Sequence, residues 1–414
     1  MKRNLRSRLR ELRRTGEVIS GSQLANDQNY NHNRNPFFDL PGRDNVEETA
    51  FGPCYMRETS YPLGYRHGNM VLSGVLSCSG KDLALPAREC DLNNFDPRQS
   101  LFLDTETTGL SGGAGTWVFL IGIGWLEDSC FLLRQYFLRH PTEERAILSH
   151  FAATAKKFPT LVSFNGKLFD LPLIQTRQTL SGFVQTTPPL HLDLLQYARL
   201  LWKKRLPSRS LRSIEEALLG LQRFDDIPGA EIPAVYFNFL RRGKTEQLKK
   251  VFHHNALDIL SMVTLLERVS NLAAGRLVEH PAEALAMGRL CLQSGRTKEG
   301  ISYLCDAAGS SLSPLAEEAA LELSLYYKGQ QRWAEAELIW QEAVKTKSAN
   351  PRAYVELAKY YEHRCSDYHS ALKLTEQALA LTSCIPDTPL SSELNTAALE
   401  HRLQRLKRRI YALR

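Results

Sequence analysis

Two acidic residues stand one position apart behind a short apolar stretch, in the segment LFLDTETTGL at residues 101–110. Successive side chains of an extended strand alternate between its two faces, so Asp104 and Glu106 would project from the same face. Two carboxylates held side by side repel each other, and each raises the pKa of its neighbour unless a positive charge lies close by. The spacing therefore predicts a pair of acids that needs a cation.

Two further acids follow at positions suited to the same site. Asp170 lies in SFNGKLFDLP, at the start of a predicted helix just after a strand, and Asn165 begins the loop before it. Asp258 lies in HHNALDIL, within a long predicted helix over residues 245–272. Four carboxylates supply the oxygen ligands that Mg²⁺ prefers, with enough negative charge to hold two divalent ions beside an anionic substrate.

Strand and helix patterns alternate between these acids. Helical spacing covers residues 142–158, with Thr142 as the predicted N-cap. A turn is predicted at residues 127–129. Apolar runs predict five strands, at residues 100–104, 116–128, 130–139, 160–165 and 190–195. Three sequential strands followed by strands that alternate with helices indicate an α/β fold with a mixed five-stranded sheet and flanking helices.

Positive charge is concentrated ahead of this sheet. The net charge is +7, and residues 2–14 contain seven Lys or Arg against one Glu. Residues 1–50 are predicted to form a basic, partly disordered arm, polar and linker-like from residue 17 onward, whose charge either contacts phosphates or is simply solvated. Residues 51–97 are predicted to form a few strands that pack on the core domain. The core domain itself is predicted to span residues 98–275.

After residue 280 the sequence changes to helical repeats. Leu323 matches Leu357 at a spacing of 34, and Ala336 matches Ala371 at a spacing of 35. Paired helices at this period, with small residues where helices cross, resemble tetratricopeptide repeats. Residues 280–414 are therefore predicted to form an all-α tetratricopeptide-like domain ending in a capping helix, and a generic helical bundle is the alternative.

The order of the acidic motifs resembles a known class of nuclease. The D-x-E on a first strand, the N-x-x-x-F-D of residues 165–170 and a histidine shortly before a last aspartate are similar to the three motifs of DEDD-type 3′→5′ exonucleases with a ribonuclease-H-like fold. The resemblance is closer to YprB-type ribonuclease-H-like proteins, through DTETTGL, NGK-FD, HLDLL, RLLW, LPS and HN-LD. It covers residues 98–272, and such proteins can carry C-terminal tetratricopeptide repeats.

The resemblance implies a role for each acid. Asp104 would bridge two Mg²⁺ or Mn²⁺ ions, Glu106 and Asp258 would complete the site on the water side, and Asp170 would serve the second ion on the leaving-group side. Such an ion pair activates a water molecule and stabilises the oxygen that leaves a phosphodiester. On this interpretation, the cation that the paired acids need is metal.

Two adjacent histidines compete for the role of general base. An imidazole that titrates near neutral pH suits the removal of a proton from the attacking water. Four residues of a helix turn about 400°, which places His254 about 40° from Asp258, whereas His253 lies about 140° away. His254 is therefore the predicted base if the helix is already formed there, and His253 would require a loop.

Residues near the acids suggest how substrate is bound. The resemblance places Thr107, Thr108 and Gly109 against the terminal nucleotide, and Asn165 would either bind substrate or hold its loop. A basic segment, RLLWKKRLPSRSLR, surrounds Trp202 with six cations: Arg199, Lys203, Lys204, Arg205, Arg209 and Arg212. A basic strip with an aromatic residue suits single-stranded nucleic acid, and a solvated charged face is the alternative.

Composition limits the remaining classes of protein. The 414 residues are 43% hydrophobic and 23% charged, as in soluble globular proteins. No apolar run of about 18 residues predicts a membrane helix, and no apolar segment after the basic start predicts a signal peptide. Eight cysteines without a CxxC pair indicate reduced thiols and a cytoplasmic location.

We therefore expect a metal-dependent exonuclease that trims single-stranded nucleic acid from its 3′ end to nucleoside 5′-monophosphates. DNA and RNA both remain open as substrates, because no motif reports a contact to the 2′-hydroxyl. The repeats could bind a protein partner. Two alternatives remain: a catalytically weak nucleic-acid-binding scaffold that acts through its repeats, and a structure-selective endonuclease that uses the same metals.

Overall fold

The computed structural model describes most of the chain in two compact units, with the boundary between Leu277 and Val278. The described residues are 43–87, 92, 95–109, 115–186, 188–311, 313–383 and 395–412. The basic segment at residues 2–14 and most of the predicted arm lie outside them, as does most of the Gly-rich link at residues 109–116. No described helix combines the length and the apolar character that crossing a membrane would need.

A seven-stranded mixed sheet forms the centre of the first unit. Its strands are β1 (Arg43–Thr49), β2 (Gly52–Pro62), β5 (Ser100–Thr107), β6 (Val118–Leu126), β7 (Cys130–Phe137), β8 (Thr160–Ser163) and β9 (Leu190–Asp193), and β3 (Arg66–His67) and β4 (Met70–Val71) form a separate ribbon. The sheet order is β1-β2-β7-β6-β5-β8-β9. Strands β5, β8 and β9 are parallel, and the other neighbours are antiparallel. Strand β5 therefore lies inside the sheet, with its acids at the end of the strand.

The strand count differs from the five predicted, because residues ahead of residue 98 extend the same sheet. β1 pairs with β2 along its whole length, and β2 pairs with β7. The sequence RDNVEET of β1 is charged, as befits an edge strand that must resist pairing with other chains. That composition hides the strand from an apolar pattern, so the prediction of a linker was wrong for residues 43–49.

Seven helices accompany the sheet within the described part of this unit: α1 (Gly80–Ala87), α2 (Glu144–Ala155), α3 (Asp170–Leu180), α4 (Leu194–Leu201), α5 (Leu211–Ile214), α6 (Ile232–Arg242) and α7 (Leu248–Ala273). Thr142 is not the N-cap of α2. A 3₁₀ turn over Pro141–Glu143 precedes the helix, and the His140 side chain caps that turn. Proline favours the first position of a helical turn, which places the cap at His140, two residues earlier than Thr142.

Helix α7 packs against β6 at two glycine residues. A side chain at Gly122 would overlap Asn255 Oδ1 and Ile259 on α7, and one at Gly124 would overlap Phe131. The two glycines of GIG thus leave room for the helix. The amide of Gln135 on β7 donates to Asn255 Oδ1 and to the Phe252 carbonyl, both at 2.8 Å. These contacts fix the rotation of α7 relative to the sheet.

The second unit is helical throughout its described residues. Its helices are α8 (Pro281–Gln293), α9 (Thr297–Ala308), α10 (Ser313–Gly329), α11 (Trp333–Lys345), α12 (Pro351–Tyr360), α13 (Tyr368–Ser383) and α14 (Thr396–Ala412). The matched residues Leu323 and Leu357 lie on α10 and α12, and Ala336 and Ala371 lie fully buried on α11 and α13. Small buried residues at matching positions let successive helices pack closely.

Candidate active site

The four predicted acids come from three elements and act on one another electrostatically. Asp104 and Glu106 lie on one face of β5, Asp170 is the first residue of α3, and Asp258 lies on α7. Repulsion from the other three acids acts on Asp104, and repulsion from Asp258 and Asp170 acts on Glu106. Asp104 and Asp258 also line one open groove of about 450 Å³.

Burial and mutual repulsion leave this cluster with excess negative charge. Burial raises the pKa of Asp104 well above its usual range, and repulsion from Asp258, Glu106 and Asp170 raises it further. Burial and the charges of Asp258 and Asp170 raise the pKa of Glu106 in the same way. Burial raises the pKa of Asp170 to about 6, although a hydrogen bond from Thr105 opposes the shift. A bound cation would relieve all three carboxylates.

Three of the four acids, Asp104, Asp170 and Asp258, also have a hydrogen-bonding or ion-pair partner from the protein. Asn255 Nδ2 donates to Asp104 Oδ2 at 2.8 Å, the Thr105 hydroxyl donates to Asp170, and Arg223 pairs with Asp258. With the side chains so arranged, no three His, Cys, Asp or Glu residues within the described ranges converge closely enough to hold a metal ion. The donor set of carboxylate oxygens, and its unmet charge, fit Mg²⁺ or Mn²⁺. In this arrangement Arg223 occupies Oδ1 of Asp258.

Arg223 supplies a positive charge beside Asp258 that the sequence patterns did not predict. Its buried guanidinium bonds to Glu215 at 2.5 and 2.7 Å and lies 3.2 Å from Asp226, besides pairing with Asp258. Asp258 therefore has a cation from the protein beside it, in addition to any metal ion that it would hold. Arg223, Asp226 and Glu215 belong to segments without a motif, and only the fold brings them to α7.

Helix geometry distinguishes the two candidate bases, His253 and His254. Helix α7 is continuous through both histidines, and His254 Nε2 lies 3.7 Å from Asp258 Oδ2. His254 Nδ1 lies 2.9 Å from Asp226 Oδ1. A carboxylate only accepts hydrogen bonds, so Nδ1 carries the hydrogen and Nε2 of the neutral ring is left as an acceptor. His253 is exposed on the helix. His254 therefore has the orientation of a base, with Asp226 holding the ring.

The predicted substrate-binding residues differ in which of their polar groups are already hydrogen-bonded within the protein. The Thr107 hydroxyl donates to the Gly109 carbonyl at 2.9 Å, and the Thr108 hydroxyl accepts from the Trp117 amide at 2.9 Å. The Thr107 hydroxyl thus uses its hydrogen in shaping the loop, whereas the Thr108 hydroxyl accepts a bond and keeps its own hydrogen. Asn165 lines the groove, and its side-chain amide makes no hydrogen bond to any described residue. Its backbone has a positive φ of 69°, which asparagine tolerates better than most residues.

Asp193 holds the Asn165 loop in place. Its Oδ1 accepts from the Asn165 and Leu195 amides at 2.8 and 3.0 Å, and its Oδ2 accepts from the Lys167 amide at 3.2 Å. The side chain is buried and caps α4. A single carboxylate therefore joins the start of α4 to the loop that carries Asn165, so both elements reach the groove together.

The cations of the basic segment differ in whether they line the groove. Arg199 and Arg209 line the groove with Asp104 and Asp258, whereas Lys203 and Arg212 are exposed and do not line it. Trp202 is fully buried, so it offers no face to a nucleic-acid base. The hypothesis that Trp202 offers an aromatic face within a basic strip was therefore wrong, because a run of basic residues does not reveal which way one indole points.

Comparison with known proteins agrees with this fold. Residues 101–270 match the family described as the RNase_H superfamily, so the first unit carries an RNase_H-superfamily domain. The chain is also 34% identical over 396 residues to YprB of Bacillus subtilis (strain 168), an uncharacterised protein, covering 91% of this chain and 92% of that one. The chain belongs to the YprB family.

A solved structure shows a more distant likeness. The family B DNA polymerase from the hyperthermophilic archaeon Pyrobaculum calidifontis is 14% identical, with a TM-score of 0.33. The match covers 48% of this chain and only 29% of the polymerase chain. A likeness at this level carries no argument about activity, and the interpretation of the site depends on the residues themselves.

Proposed function

We propose that this chain is a metal-dependent 3′→5′ exonuclease that hydrolyses single-stranded nucleic acid to nucleoside 5′-monophosphates. The observation that supports the proposal is the cluster of mutually repelling carboxylates, Asp104, Glu106, Asp170 and Asp258, beside an open groove. The cluster lies in an RNase_H-superfamily domain, a class whose members are usually hydrolytic nucleases.

The four acids would hold two Mg²⁺ or Mn²⁺ ions. When bound, such ions lower the pKa of a water molecule and stabilise charge on the leaving oxygen of a phosphodiester. His254 would accept the proton of the attacking water at Nε2, and Asp226 would hold the ring and stabilise the imidazolium that forms. Asn255 would keep the Asp104 carboxylate oriented through its amide.

The terminal nucleotide would lie against the end of β5. The Thr107 hydroxyl and the Thr108 amide are already bonded within the protein, so this edge would use the hydroxyl hydrogen of Thr108 and the amide of Gly109, with Thr107 shaping the loop. The free amide of Asn165 would donate to, or accept from, the substrate. The helical unit would act as a tetratricopeptide-like surface for a protein partner.

One observation favours a second candidate, a nucleic-acid-binding scaffold with weak turnover. Arg223 already neutralises Asp258 and lies among the acids that would bind metal. If that ion pair persists when divalent ions are present, the site would lack one ligand. The protein would then bind nucleic acid and act through its helical unit.

A gel assay on 5′-labelled single strands of DNA and RNA separates these functions. We expect a ladder that shortens from the 3′ end with Mg²⁺ or Mn²⁺, and none with EDTA. A discrete internal fragment would indicate an endonuclease instead. Binding without cleavage in any metal would favour the scaffold. The preferred sugar is read from the same gel.

A further inference from the structure

We propose that Arg199 and Arg209 form a phosphate-binding pair in the groove, which holds the sugar–phosphate backbone of a single strand as it enters the site. The inference rests on the proposed function, since it takes nucleic acid as the ligand. It narrows the basic segment of six cations to the two that line the groove. It also implies that the backbone, and not the bases, is recognised here.

Arg199 is a cation without an ion-pair partner among the described residues. It lies in the last turn of α4, is exposed, and makes no ion pair or hydrogen bond with any described residue. Other arginines of the same unit are paired, as Arg177 is with Glu144 and Arg223 is with Asp258. A guanidinium that lines the groove without a carboxylate partner is free to bind an anion.

Arg209 is held in position by its own loop. Its Nη1 donates to the carbonyls of Leu206 at 3.5 Å and Pro207 at 3.2 Å, and its other nitrogens have no partner among the described residues. Carbonyl contacts orient the guanidinium without neutralising it. The planar fork can then bond two oxygens of one phosphate, which a lysine cannot do in the same way.

The charges of the groove explain why such a pair is needed. Asp104 and Asp258 line the same groove and repel a phosphodiester. Two cations on that groove offset the repulsion next to the acids, where the strand must come closest. With Trp202 buried, the segment has no aromatic face on which a base could stack. Contacts to phosphate carry no sequence information, so this part of the site would accept any base.

The test is the salt dependence of binding to fluorescein-labelled oligothymidylate and oligouridylate in EDTA, measured by anisotropy. Removing two phosphate contacts to a single strand should make the slope of log affinity against log salt shallower by roughly 1.4. We expect this change, with at least a tenfold loss of affinity at low salt, for Arg199→Ala/Arg209→Ala. Arg199→Lys/Arg209→Lys should recover most of the slope and only part of the affinity.

The matched control is Lys203→Ala/Arg212→Ala, which removes the same charge from exposed positions of the same segment that do not line the groove. We expect it to leave the slope unchanged. Equal changes in both double variants, or none in either, would overturn the proposal. A wild type that never cleaves but shows the selective slope change would refute the exonuclease and leave the phosphate-binding pair intact.

Discussion

At the scale of single residues, the proposed chemistry depends most on one imidazole between two carboxylates. Asp226 holds Nδ1 of His254, and Nε2 is directed towards Asp258. This arrangement gives the ring one fixed tautomer and one free acceptor. The adjacent His253 has neither contact and is exposed, which makes it a natural control.

His254→Ala should lower the rate of cleavage by about 10² to 10⁴, the range typical for loss of a general base. His253→Ala should change the rate by no more than about twofold. Single-turnover rates of the two variants and the wild type at one pH measure both effects. A larger loss in the His253 variant would reverse the assignment.

The pKa of Asp170 predicts a pH dependence of stability in metal-free protein. Burial raises this pKa to about 6, whereas an aspartate in the unfolded chain titrates near about 3.9. Between these values the folded state keeps a proton that the unfolded state has lost, so the free energy of unfolding falls as pH rises from about 4 to about 6. The expected contribution is about 2 kcal/mol.

Urea unfolding in EDTA across that pH range checks the effect. Asp170→Asn should be less sensitive to pH than the wild type by this amount. The exposed Asp225 provides a control, and Asp225→Asn should follow the wild type. Parallel curves for the wild type and Asp170→Asn would show that Asp170 does not keep its proton in the folded protein.

At the scale of elements, the site depends on how closely α7 lies on the sheet. The side chain of Asn255 reaches Asp104 because Gly122 leaves room for it, and Gln135 holds it from the other side. Asp258 follows one turn later on the same helix, and Arg223 joins that turn to the segment over residues 215–226. A shift of α7 would therefore move Asp258, Asn255 and the base His254 together.

Gly122→Ala tests this close approach. The added methyl group would overlap Asn255 Oδ1, so we expect a loss of stability of about 1–3 kcal/mol from overpacking, with reduced cleavage. Gly64→Ala is the matched control, because nothing lies within 4 Å of a side chain there. Urea unfolding measures both variants. Equal stability of the two would show that α7 can move without cost.

At the scale of the whole molecule, the chain divides into two compact units, and every residue proposed for the site belongs to the first. A chain ending at Leu277 should therefore unfold cooperatively and keep its rate of cleavage on short strands. Loss of the helical unit should change only the binding of a partner or a longer substrate. A truncated protein that is folded but inactive would show that the second unit takes part in the chemistry.

Sequence patterns predicted the parts of the site that periodicity controls. Asp104 and Glu106 follow the buried apolar residues at the start of β5. Asp258 lies on a long helix, and the helical period places His254, but not His253, on the same side as Asp258. The edge strand β1 was missed because its residues are charged and only tertiary pairing makes them a strand. Arg223 and Asp226 were missed because their partners lie about 30 residues away, on an element that the fold alone brings to them.

The central claim is that the acidic cluster hydrolyses a phosphodiester at a 3′ end. The most direct measurement is the release of labelled nucleoside 5′-monophosphate from a 3′-labelled single strand in Mn²⁺, comparing the wild type with Asp104→Asn and Asp225→Asn. We expect the monophosphate as the first product of the wild type and of the Asp225 variant. The Asp104 variant should be at least about a thousandfold slower, since several kcal/mol of transition-state stabilisation would be lost. Undiminished release by Asp104→Asn, or no monophosphate from the wild type, would contradict the claim.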